Sequence, residues 1–117
     1  MSSNIAMALV LLMNASRADV PLPSFREDPA LSARAQERAE RMCANRTFSH
    51  DGYQSAFNGL HYNWTGENLA MGHKEPKAIH AQLMNSAGHR ANILKREFNA
   101  VGIGHACSIT VELFGGH

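Results

Sequence analysis

The 117-residue chain lacks an excess of charge of either sign, a long apolar run and a set of cysteines. Eleven Lys and Arg against ten Asp and Glu give a formal charge of +1. This balance argues against a nucleic-acid partner, because proteins that bind nucleic acids usually carry a large basic excess on one face. The longest apolar run, Ile5 to Met13, is too short to span a bilayer, which excludes a membrane span.

The two cysteines, Cys43 and Cys107, are too few for a zinc–thiolate cluster or a disulfide framework. They can form one disulfide in an oxidising compartment, and their spacing leaves open whether they do. The composition is otherwise globular, 44% hydrophobic and 18% charged, and the length predicts one domain over residues 1–117. Seven histidines are the one unusual count, and histidine is the commonest metal ligand.

The apolar run at the start of the chain is interpreted as a buried first helix. The core of a signal peptide would also be apolar, but no basic residue precedes Ile5, as such a signal requires. Ser3 or Asn4 can instead cap a helix. We therefore expect no export signal in this segment.

The rest of the chain predicts helices followed by a hairpin. Asp28 and Pro29 start a second helix. Its buried face consists of small and apolar residues at helical spacing, and its more solvent-exposed side carries three arginines. The buried set is Leu31, Ala35, Ala39 and Met42, and the arginines are Arg34, Arg38 and Arg41. Residues 45–66 predict a long loop rich in turn formers. A short strand over 68–71 and a helix from Pro76, interrupted at 86–88, follow.

Alternating apolar residues predict two strands at the end of the chain. Val101 and Ile103 belong to the first strand, Ile109 to Leu113 to the second, and the turn falls near residues 105–108. Gly102 and Gly104 indicate either a helix packed closely over the first strand or a bulge.

Three polar residues stand out in segments expected to be irregular: His50, Glu67 and His89. Two imidazoles and one carboxylate can bind a divalent ion or act as a general acid and base. No HExxH-type helix fixes their geometry, so their spacing alone is a weak signal.

The order and spacing of several short segments over nearly the whole chain resemble the CAP superfamily, also called the SCP or pathogenesis-related domain family, in its short bacterial form. The segments are Asn14-x-x-Arg17, Leu31–Gln36, Phe48-Ser49-His50, Gly66-Glu67-Asn68-Leu69-Ala70, Ser86-Ala87-Gly88-His89-Arg90-Ala91-Asn92-Ile93-Leu94 and Val101-Gly102-Ile103-Gly104. The resemblance implies an α+β fold, an α-β-α sandwich with a small antiparallel sheet flanked by helices. It also implies a cleft with two histidines and two glutamates that can bind zinc or another divalent cation.

Carried onto this sequence, the metal-binding histidines are His50 and His89, the first glutamate is Glu67 as candidate catalytic residue, and Asn68 accompanies it in the cleft. The position of the second glutamate is occupied by Ser86. The site therefore loses one negative charge, which weakens both metal binding and a two-carboxylate mechanism. We accordingly lean against an enzyme.

Other roles for these residues are open. His50 and His89 can hydrogen-bond across the cleft to hold the long loop instead of binding a metal, and Glu67 can accept backbone N–H bonds or pair with Arg90. The other histidines are interpreted as surface or loop residues: His61, His73, His80, His105 and His117. Cys43 lies on the second helix and Cys107 in the hairpin turn, and either pairing or free thiols fit.

Three hypotheses for function follow. The chain is a binding module whose histidine-lined cleft holds a divalent metal such as zinc weakly, a metal-assisted hydrolase, or a structural or interaction component of a larger assembly such as a phage virion. The ligand or protein partner is unknown in each case. The family is usually extracellular, so a virion or a bacterial cell surface is an expected location, although no export signal is found.

Overall fold

The computed structural model describes residues 4–117, which form four α-helices, one 3-10 helix and four strands. In chain order these are α1 (Asn4–Ala18), β1 (Arg26–Glu27), α2 (Pro29–Asn45), the 3-10 helix (Tyr53–Phe57), β2 (Trp64–Met71), α3 (Pro76–Met84), α4 (Ala87–Ile93), β3 (Ala100–Ala106) and β4 (Ile109–Gly116). The first helix is present as predicted. The proposed capping by Ser3 lies outside the described residues.

The sheet has the strand order β1-β3-β4-β2. β3 and β4 form the predicted hairpin, whose turn residues Cys107 and Ser108 have φ of 55° and 71°, as in a type I′ turn that matches strand twist. The sheet is mixed rather than antiparallel throughout, since the two residues of β1 pair parallel to β3. β2 begins four residues earlier than predicted because its first half pairs with residues 113–116 of β4, and backbone pairing does not require an apolar alternation.

Two apolar clusters cover the two faces of the sheet, which makes the fold an α-β-α sandwich as the resemblance implies. α2 packs on one face and α1, α3 and α4 on the other. The α2-side cluster includes Leu31, Ala35, Ala39, Met42, Leu69, Val111 and Leu113. The opposite cluster includes Leu9, Met13, Ile79, Leu83, Ile93, Ile103 and Phe114.

The close approach of α2 to β3 explains the two glycines of that strand. A Cβ at Gly102 would collide with the backbone of Leu31 and Ser32, and one at Gly104 with the backbone of Ala35 and Gln36. Of the two alternatives that the sequence left open, close helix packing is therefore correct. This contact fixes the position of α2, and hence of its side chains, against the sheet.

Arg17 ties α1 to two later segments of the chain. It is 1% exposed, and its guanidinium donates to the carbonyls of Pro23, Ile93, Lys95 and Phe98 at 2.8–3.0 Å. Burial lowers its pKa from the ordinary value. These bonds fix the ends of α4 and of the loop before β3.

Several residues predicted at the surface lie elsewhere. Arg38 is 8% exposed rather than on the wetter side of α2, because it pairs with a buried carboxylate. His80 is buried, and its Nε2 lies 2.8 Å from the Ser16 hydroxyl. His105 is half-buried on β3, with Nδ1 2.9 Å from Thr110 Oγ1.

Candidate functional site

Glu67 is the centre of the candidate site. It lies in the regular strand β2, not in an irregular segment as predicted, and it is 6% exposed. Arg38 holds its carboxylate with two bonds, from Nε to Oε2 at 2.6 Å and from Nη2 to Oε1 at 3.1 Å. Such a fork fixes a carboxylate in position as well as neutralising it. Glu67 is therefore a rigid anchor rather than a free surface acid.

His50 is attached to the same carboxylate. Its Nδ1 lies 2.9 Å from Glu67 Oε1, while its side chain is 56% exposed. Arg38 also donates to the backbone carbonyls of Ser49, at 3.3 Å, and Asp51, at 3.4 Å. The arginine thus holds the backbone on both sides of His50 and orders the start of the long loop.

One predicted partner of Glu67, Arg90, was wrong. Arg90 does not reach it, and its guanidinium donates instead to the carbonyl of Met84 at 2.8 Å. The arginine that the sequence reasoning missed is Arg38, and a signal for it exists. Arg38 lies seven residues after Leu31 and three after Ala35, which puts it on the inward face of α2.

His89 approaches the site from α4. Its Nδ1 is buried and has no hydrogen-bond partner among the described residues. Burial, and then the positive charge of His50, lower the pKa of His89, so its imidazole is neutral near pH 7. Within residues 4–117 no hydrogen bond joins the rings of His50 and His89.

A second polar group lies behind the site on the opposite face of β2. Asn68, predicted to line the cleft, is fully buried, and its amide donates to the His89 carbonyl at 3.1 Å and to Glu112 Oε1 at 3.2 Å. Its own oxygen accepts from Asn92 at 2.9 Å. Asn68 therefore connects β2 to α4 and supports the backbone of His89.

Glu112 is the most unusual member of this group, and the sequence reasoning did not single it out. It is fully buried on β4, and its Oε2 has no partner among the described residues. Burial raises its pKa to about 7. The available signal was a carboxylate in the middle of an otherwise uncharged strand, Ile109–Gly116.

Ser86, which occupies the position of the missing glutamate, is the N-cap residue of α4, and its side chain makes no capping bond. Across residues 4–117 no three His, Cys, Asp or Glu side chains form a metal-binding group. The donors that fit a cation are the two imidazoles, since Glu67 is already engaged.

Cys43 of α2 and Cys107 of the β3–β4 turn form a disulfide, with Cα atoms 5.7 Å apart. The separation lies in the usual range for such bridges. The bond joins the C-terminal half of α2 to the hairpin, on the same helix that carries Arg38. It therefore adds a covalent constraint to the layer that positions Glu67.

The comparison with known families agrees with this architecture. A profile described as the cysteine-rich secretory protein family (CAP) matches residues 10–110. The chain belongs to this family. The protein YkwD of Bacillus subtilis, uncharacterised by its description, is 36% identical in an alignment 104 residues long that covers 83% of this chain and 40% of that protein.

Solved structures of CAP proteins share the fold. An extracellular protein containing an SCP domain from Bacillus anthracis superposes with a TM-score of 0.92 at 25% identity, over 97% of this chain and 40% of that one. An outer surface protein of Borrelia burgdorferi superposes with a TM-score of 0.84 at 24% identity, over 95% of this chain and 91% of that one. The CAP chain described here thus spans 40% of the two Bacillus relatives and nearly all of the Borrelia protein. No helix within residues 4–117 has the length and apolar character to cross a membrane.

Proposed function

We propose that this CAP chain is a binding module whose cleft holds a divalent cation such as Zn²⁺ on the imidazoles of His50 and His89. The observation that carries the proposal is the bond from His50 Nδ1 to the buried carboxylate of Glu67. Histidines that bind metals usually give their other ring nitrogen to a carboxylate or carbonyl, which fixes the ring and its tautomer. Here the bond leaves Nε2 of His50 as the nitrogen for a cation.

The state of His89 supports the same role. Its lowered pKa keeps the ring neutral, and a neutral imidazole is the form that binds metal. The buried Nδ1 without a partner is a polar atom for which a cation or a bound polar ligand would compensate. A bound cation would supply positive charge and a Lewis acid at the mouth of the cleft.

A binding role suits Glu67 better than a hydrolytic one. Both of its oxygens already accept bonds, from Arg38 and from His50. A general base needs an oxygen within reach of the proton that it removes, and Ser86 supplies no second carboxylate. We therefore assign Glu67 as the residue that positions His50.

Zinc calorimetry on metal-stripped protein tests the proposal. We expect micromolar or somewhat weaker binding that His50→Ala and His89→Ala each abolish, whereas His73→Ala, an exposed histidine away from the cleft, leaves binding unchanged. Absence of binding, or an equal loss in the His73→Ala control, would overturn the metal role. If the two cleft variants then unfolded at lower urea concentration, the histidines would hold the loop instead.

We further propose that the chain works outside the reducing cytoplasm. The disulfide between Cys43 and Cys107 supports this location, because such bonds persist in oxidising compartments. The descriptions of relatives as extracellular or outer-surface proteins agree with it. Alkylation of the protein in unreduced native cells should leave both cysteines unlabelled, and labelling without prior reduction would contradict the proposal.

A further inference from the structure

We propose that a cavity beside the cleft, between α2 and residues 55–58, binds the oxyanion group of a small phosphorylated or carboxylated molecule. The cavity has a volume of about 260 Å³, just below the range of roughly 300–1,000 Å³ that is usual for sites that enclose a whole small molecule, which suits the charged end group of a ligand. Its lining consists of Arg34, Glu37, Arg38, Arg41, Ser55, Ala56 and Asn58. Because Ala56 is the one apolar side chain in this set, the lining suits a polar ligand.

The spacing of the three arginines explains their convergence. Arg34, Arg38 and Arg41 stand at i, i+4 and i+7 of α2, so a single face of the helix presents them. Guanidinium groups bind phosphate and carboxylate with two parallel bonds. A row of them facing an open cavity is therefore an arrangement suited to an oxyanion.

The three arginines differ in how many donors are already used. Arg38 is committed to Glu67 and to loop carbonyls. Arg34 donates through Nη1 to the carbonyls of Ala56, at 2.9 Å, and Asn58, at 2.6 Å, which fixes its position and leaves Nε and Nη2. Arg41 makes no hydrogen bond or ion pair within residues 4–117, so all of its donors are available.

The charge of the cavity is positive after the internal pairs are counted. Glu67 offsets Arg38, and Glu37 forms no ion pair with Arg34 or Arg41 in the described part of the chain. Two uncompensated arginines therefore face one carboxylate. This balance favours an anion, and the carboxylate of Glu37 limits its affinity.

Nuclear magnetic resonance titration of the full chain with sodium phosphate, and separately with sodium acetate, tests the site at constant ionic strength set with chloride. We expect saturable shifts of the amide signals of α2 and residues 55–58. Arg41→Gln should weaken binding roughly tenfold, because it removes about one pair of charge-assisted hydrogen bonds to the ligand. Glu37→Gln should strengthen it about threefold, because a nearby negative charge is removed.

The variants separate a site from general charge attraction. Arg41 is exposed and without a partner, so Arg41→Gln should fold and melt as the parent chain does. Arg96→Gln removes the same charge from an exposed position in the loop before β3 and should leave binding unchanged. Equal weakening in Arg96→Gln, or no weakening in Arg41→Gln, would overturn the proposal.

The two titrations also identify the ligand class. Saturation with phosphate alone assigns a phosphorylated ligand, and saturation with acetate alone assigns a carboxylated one. Saturation with neither overturns the proposal. The outcome does not depend on zinc, because His50 and His89 do not line this cavity.

Discussion

The contribution of the buried carboxyl of Glu112 to the stability of the chain should fall as the pH rises from about 4.5 to about 7. Burial raises its pKa from 4.5 to about 7, and the bond from Asn68 opposes this shift only in part. The folded state therefore holds a proton that the unfolded chain releases. The stability contributed by the neutral carboxyl is fully present below pH 4.5 and is lost between pH 4.5 and about 7.

The size of the effect follows from the shift in pKa. Each pKa unit corresponds to about 1.4 kcal/mol, so ionising Glu112 in place costs about 3 kcal/mol at pH 8. Glu112→Gln keeps an oxygen for Asn68 and removes the titration. The buried amide that replaces the unpartnered Oε2 adds a cost of about 1 kcal/mol that is equal at every pH.

Urea unfolding of both proteins at pH 5, 6, 7 and 8 measures the difference. We take the unfolding free energy to fall by about 1.5 kcal/mol per molar urea. The urea midpoint of Glu112→Gln, measured relative to that of the parent chain, should then be about 2 M higher at pH 8 than at pH 5. The histidines act in the opposite sense, because the lowered pKa of His80, His89 and His105 makes stability rise with pH up to about 6.5. These histidine effects are the same in both proteins and therefore cancel in the comparison.

A matched control is Glu97→Gln, which removes an exposed carboxyl instead of a buried one. A difference between Glu112→Gln and the parent that is constant from pH 5 to pH 8 would refute the reasoning. It would mean that Glu112 titrates alike in the folded and unfolded chains, and that water or a cation reaches it.

Three further predictions rest on individual contacts. Reduction of the Cys43–Cys107 disulfide, or replacement of both cysteines by alanine, should lower the free energy of unfolding by about 2–4 kcal/mol. The reason is that the bridge closes a loop with a sequence separation of 64. An unchanged urea midpoint would contradict this prediction. Gly102→Ala forces a Cβ into the backbone of α2 and should lower the free energy of unfolding by about 3 kcal/mol. The control Gly88→Ala in α4 places its Cβ in open space and should raise that free energy by up to about 1 kcal/mol. Equal melting temperatures of the two variants would exclude the close packing. Arg17→Met should cost about 3 kcal/mol or more because it removes the donor to four carbonyls, of which that of Lys95 keeps a bond from the backbone N–H of Phe98. A melting temperature within a degree of the parent chain would contradict this prediction.

The sequence by itself determined the elements with a strong local signal. Asp28 and Pro29 predicted the start of α2, and the Asp28 side chain does accept from the backbone N–H of Ala30 at 2.9 Å. The alternation after Val101 predicted the hairpin, and the pair of glycines predicted either a closely packed helix or a bulge, of which the structure shows the first. The ordered motifs along the chain identified the CAP family and with it the α-β-α sandwich.

Tertiary structure alone decided which partners the buried charged groups have. Arg38 and Glu67 are 29 residues apart and on different elements, so no local pattern predicts that they meet. The same holds for Asn68 and Glu112, which face each other because β2 and β4 pair in one register. Periodicity reports which face of an element is covered, whereas the pairing of charges depends on how the elements pack. The proposals that Glu67 positions His50 and that Arg41 binds an oxyanion therefore depend on the folded chain.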